Sequence, residues 1–191
     1  MFSEYFSPVK IVDFANKLDK TQLGSKIKIN GRDRLNSIES VDIVIFSVNE
    51  YRFSSNIQKS FNANKDFRKK FYSLYYGNWD LNIYDFGDLK NGNEISDTQF
   101  ALEKILEFFK KNEILVITVG GSQNLVYNMY SAIKEVSNKI NLVSVDNKID
   151  FSENNKSFLY NIIMDENNKL NNFSNIGYQK HLTSVPENKL I

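Results

Sequence analysis

The chain contains no cysteine, and only two prolines and eight glycines among its 191 residues. Without cysteine it has neither a disulfide framework nor a thiolate metal site. No charge of one sign dominates. Its 24 basic and 23 acidic side chains leave a net charge of +1, with no basic patch or tail, so nucleic acid is not an expected partner. No apolar run approaches the ~20 residues that a bilayer-spanning helix requires. The longest, Ile114-Leu115-Val116-Ile117 extended by Thr118 and Val119, has the length of a strand. The first residues, Met1-Phe2-Ser3-Glu4-Tyr5-Phe6, lack the basic start and apolar stretch of a secretory signal. No segment is rich in proline, glycine or serine in the manner of a linker, and no internal repeat is present. These absences predict a cytoplasmic protein with no membrane partner. They also predict a single α/β domain over residues 1–191, with 1–40 as an N-terminal extension packed on it.

What is present is an alternation of strand and helix patterns. Residues 41–48 form a run rich in β-branched side chains and read as a strand. Residues 64–77 read as a helix whose inner side carries Phe67, Phe71, Leu74 and Tyr75, with Gly77 as its stop signal. A second strand over 81–86 is predicted to end in a turn at Gly87-Asp88. Ser96-Asp97 offers an N-cap for a helix to about Lys111, with Phe100, Ile105, Leu106 and Phe109 facing inward. A strand over 114–119 is followed by a helix to about Val136, then by a strand over 141–146. A short helix over 157–164 and a strand over 170–176 complete the pattern, and the tail from Thr183 is predicted to fray. Short apolar strands joined by crossovers of 20–30 residues imply a three-layer α/β/α architecture around a mostly parallel sheet.

Two segments follow strands and so fall at their carboxyl ends, where open α/β sheets collect ligands. The first is Val119-Gly120-Gly121-Ser122-Gln123-Asn124, and the second is Val145-Asp146-Asn147-Lys148-Ile149-Asp150. Residues 146, 148 and 150 are two apart, so an extended backbone points all three side chains to one side. An ammonium has three donors and no acceptor, so charged Lys148 cannot ligate a cation. Placed between Asp146 and Asp150 it would neutralise them instead. Two unit charges about 4 Å apart interact by roughly 4 kcal/mol at an effective dielectric near 20.

In order and spacing, the two segments resemble the ureohydrolase superfamily of arginase, agmatinase and formimidoylglutamase. The family's first motif is Gly-Gly-Asp-His-Ser and its second Asp-Ala-His-x-Asp, and together they hold two manganese ions. The resemblance spans roughly residues 41–178 and includes Asp85-Phe86-Gly87-Asp88-Leu89 as an Asp-x-Gly-Asp turn. Phe173-Ser174-Asn175-Ile176-Gly177-Tyr178-Gln179 is similar to a divergent formimidoylglutamase-like branch without the metal histidines. The resemblance implies an arginase-like fold. It places Gln123 and Lys148 where the two histidines would stand, Ser122 in place of an aspartate, and Asp146 and Asp150 at the retained carboxylates. The family's later Asp-x-Asp motif has no counterpart after Asp150, and the chain is expected to lack the C-terminal part of the family.

Plainer roles compete with each candidate. Gly120-Gly121-Ser122 matches no phosphate-loop fingerprint and reads as a strand-to-helix turn before it reads as an anion cradle. Asp146, Lys148 and Asp150 read as a self-satisfied ion cluster before a substrate clamp. The single histidine, His181, reads as a surface residue. The aromatic group Phe67, Phe71, Tyr72, Tyr75, Tyr76 and Trp79 reads as a core stripe whose surplus suits a homo-oligomer or protein partner. Taken together, a metal-free, catalytically inactive ureohydrolase-like binding or scaffolding module is expected, with Mn2+ lost. The alternative is an active hydrolase of linear amidine or guanidino C–N bonds, with Asp146 and Asp150 holding a cation in a rearranged site. A third possibility is a fragment whose site a separate segment completes.

Overall fold

The computed structural model describes residues 3–52, 63–149, 151 and 157–183. The chain divides into two compact units, Met1–Ser122 and Gln123–Ile191. Among the described residues the strands form two separate sheets, one in each unit. No helix among the described residues is long and apolar enough to cross a membrane.

The first unit contains β1 (Phe6–Ser7), α1 (Val12–Ala15), α2 (Leu23–Lys26), β2 (Lys28–Ile29), β3 (Ile43–Val48), α3 (Ala63–Tyr72), β4 (Ile83–Leu89), α4 (Ile95–Lys111) and β5 (Leu115–Val119). Its sheet runs β1-β4-β3-β5, with β2 also paired to β4. The β3–β4, β3–β5 and β2–β4 pairs are parallel, and only β1 is antiparallel. The mostly parallel sheet expected from sequence is therefore present. Within residues 1–40, β1 and β2 both pair with β4. The central strand β3, Ile-Val-Ile-Phe-Ser-Val, is buried along nearly its whole length, as befits a strand covered on both faces. On one face Ile45 and Ile83 pack with Ile29, Leu23 and Tyr72 of α3. On the other, Phe6 meets Phe46 and Phe86 at ring-centroid distances of 5.4 and 5.0 Å, and Phe86 meets Phe109 of α4 at 5.6 Å.

α4 has nearly the predicted bounds. Leu102, Ile105, Leu106 and Phe109 recur at three- and four-residue spacing and are buried. Phe100 falls outside this stripe; it is exposed, with Lys104 Nζ 5.7 Å above its ring. α3 departs from prediction, ending at Tyr72 instead of running to Gly77. Residues 73–76 turn back to pair with residues 21–23: Leu23 N–H donates to the Leu74 carbonyl at 2.7 Å, and Tyr76 N–H to that of Thr21 at 2.8 Å. The buried face of α3 is Asn64, Arg68 and Tyr72, while Leu74 and Tyr75, expected inside, are exposed. Gly87 and Asp88 do not end a strand in a turn. β4 continues through them with a register shift opposite Ile45/Phe46, and Gly87 has φ +91°. A Cβ on Gly87 would lie 2.1 Å from the Ser7 carbonyl oxygen, so glycine lets β1 cross there.

The second unit contains α5 (Leu125–Lys134), β6 (Ile140–Val145), α6 (Phe158–Ile163) and β7 (Leu170–Ile176). β6 and β7 pair in parallel, and Tyr130, Ile140, Ile149, Phe158, Leu159 and Ile162 form the core. Ser157 caps α6, its Oγ accepting from Tyr160 N–H at 3.3 Å. His181 lies exposed in a short 3-10 turn, Lys180–Leu182. Of the tail, residues 184–191 lie outside the described residues.

Candidate functional site

In the first unit, the carboxyl ends of β3, β4 and β5 carry polar groups that bond mainly to one another. Asp85 is fully buried inside β4, where an unpaired carboxylate would be costly, and α3 answers it with Arg68. Arg68 Nε donates to Asp85 Oδ2 at 2.9 Å and Nη2 to Oδ1 at 3.1 Å. Nη1 donates to Asp88 Oδ1 at 2.6 Å and Nη2 to the Gly87 carbonyl at 2.7 Å. Tyr72 O–H donates to Asp85 Oδ2 at 2.7 Å, Gly87 N–H to Oδ1 at 2.8 Å, and Ser47 O–H to Asp88 Oδ1. Burial works against the Arg68 charge, but Asp85 and Asp88 outweigh it and raise its pKa above the ordinary arginine value. Burial, reinforced by Asp85, likewise raises the Tyr72 phenol. Both oxygens of Asp85 are taken, so the cluster locks α3 onto the sheet and Asp85 offers no open carboxylate.

Glu50, just past β3, is a second buried carboxylate. Arg52 Nε donates to its Oε1 at 2.9 Å and its Oε2 at 3.1 Å, and Arg52 N–H to Oε1 at 2.9 Å. Burial disfavours the Glu50 charge, yet the bonds from Arg52 prevail and hold its pKa below the ordinary glutamate value. The Glu50 carbonyl accepts from Ser122 N–H at 2.8 Å, which anchors the first motif to β3. Gly120 and Gly121 take φ of +78° and +87°. A Cβ on Gly120 would sit 2.9 Å from Asn64 Oδ1 and 3.1 Å from Tyr51 Oη. Asn64 Nδ2 donates to Asn49 Oδ1 at 2.7 Å, while Asn64 Oδ1 is buried without a hydrogen-bond partner.

In the second unit, β6 stops at Val145, and Asn147 and Lys148 lie in a bend. The extended backbone that would align 146, 148 and 150 therefore ends before it reaches them, and Asp150 lies outside the described residues. Asp146 N–H donates to the Ile176 carbonyl at 3.0 Å, and Asp146 Oδ1 accepts from Asn147 N–H at 2.7 Å. Gln179 N–H donates to the Asn147 carbonyl at 2.7 Å and Asn175 Nδ2 to the Lys148 carbonyl at 3.0 Å. The 173–179 segment thus holds main-chain groups of the second motif, through its own backbone and the Asn175 side chain. Gln123 is exposed in the turn before α5, its carbonyl accepting from Val126 N–H at 3.0 Å.

No family model matches the chain, and no curated protein does. Solved structures do match. A formiminoglutamase from Trypanosoma cruzi with Mn2+2 superposes with a TM-score of 0.73 at 14% identity, over 90% of this chain and 62% of that one. An arginase superfamily protein from the same organism gives 0.69 at 13% identity, over 82% and 58%. A hypothetical agmatinase from Burkholderia thailandensis gives 0.62 at 15%, over 78% and 53%. The fold is that of the ureohydrolases. The chain spans only 53–62% of the length of these ureohydrolase-fold structures.

The presence of Mn2+ in one ureohydrolase-fold neighbour invites a test of whether the residues here fit such a centre. Two hard cations need several carboxylates and imidazoles converging on one point. Among the described residues no three His, Cys, Asp or Glu side chains do so. Motif spacing did not reveal Arg68 or Glu50 as network residues. For Arg68 the usable signal was polar: Asn64, Arg68 and Tyr72 recur every four residues on a helix opposite a strand that carries Asp85.

Proposed function

We propose that this ureohydrolase-fold chain does not assemble the dinuclear manganese centre and does not cleave amidine or guanidino C–N bonds. It serves in the cytoplasm as a binding or scaffolding module. One observation carries the proposal: Gln123 and Lys148 stand where the family resemblance places the metal histidines, and Lys148 brings a positive charge where a cation would bind. The lack of a converging ligand set among the described residues supports it. The test is incubation with manganese followed by assay of linear amidines and guanidino compounds for released ammonia or urea. No release above buffer is expected. Manganese-dependent release that is abolished by Asp146→Ala would overturn the proposal.

The names of the structural neighbours favour a second reading, retained C–N hydrolysis. It requires Asp146 and Asp150 to hold one cation with Lys148 uncharged or turned away. Turnover that survives a chelator and Asp150→Ala would count against that version.

A further inference from the structure

We draw no further inference here: the strongest candidate, the apolar groove on the first unit's sheet between Ile43, Ile117, Leu74, Tyr75 and Trp79, carries nothing because nothing in the structure shows what covers it.

Discussion

Replacing Arg68 with methionine isolates what holds α3 to the sheet. Arg68 and Asp85 side chains are 5% and 0% exposed, so water cannot take over the bonds that the substitution removes. Asp85 would keep Tyr72 O–H and Gly87 N–H but lose both guanidinium bonds, and Asp88 and the Gly87 carbonyl would each lose one. Breaking a buried ion pair from one side costs about 3–5 kcal/mol. For a chain of this length that lowers the melting temperature by roughly 10 °C. Urea unfolding followed by Trp79 fluorescence is the suitable assay, because Trp79 lies in the same compact unit as Arg68. The double variant Arg68→Met/Asp85→Leu is expected to recover at least half of the loss, since apolar replacement of both partners of a buried pair is often close to neutral. A cost below about 1 kcal/mol for Arg68→Met, or a double variant as unstable as the sum of the single ones, would refute this account of the network.

Three further outcomes follow from the same geometry. Tyr72→Phe removes one hydrogen bond to Asp85 and is expected to cost about 1–3 kcal/mol in the same urea experiment, less than Arg68→Met. Gly87→Ala forces a Cβ to within 2.1 Å of the Ser7 carbonyl at φ +91°, and is expected to destabilise by at least about 2 kcal/mol. Faster deuterium exchange at β1 would confirm where that strain is released. The depressed pKa of Glu50, and that of Asp165, which Lys134 lowers against burial, set the acid limit. A carboxylate with a folded-state pKa below its unfolded one contributes stability above the unfolded value and loses it as pH falls through the folded value. Stability is therefore expected to be level above about pH 4.5 and to fall below it, and Glu50→Gln is expected to flatten that fall.

Much of this fold was legible because local patterns and tertiary packing agree. The β-branched run of β3 and the apolar stripe of α4 predict their elements to within a few residues. α3 failed where two signals competed. Phe67, Phe71, Leu74 and Tyr75 mark an apolar helical face, but the charge on Asp85 draws Arg68 and Tyr72 inward instead, and Asn64 turns in to Asn49. Residues 73–76 then leave the helix for backbone partners far earlier in the chain, at residues 21–23, and nothing local in the sequence encodes such a pairing. The Gly87-Asp88 turn failed for a related reason, because a glycine bulge lets β4 continue where β1 crosses it. At the candidate site the positions of Gly120, Gly121 and Ser122 after β5, and of Asp146 after β6, were readable from strand ends. The bend at Asn147 and Lys148 was not, because the groups that bond to it, the Asn175 side-chain amide and the Gln179 N–H, are distant in sequence.

Metal stoichiometry tests most directly the proposal that this chain does not assemble a dinuclear manganese centre. Equilibrium dialysis of the full chain against micromolar manganese, followed by elemental analysis, is expected to find no stoichiometric ion per chain, with or without Lys148→His. Two tightly bound manganese ions in the unaltered chain would contradict the account.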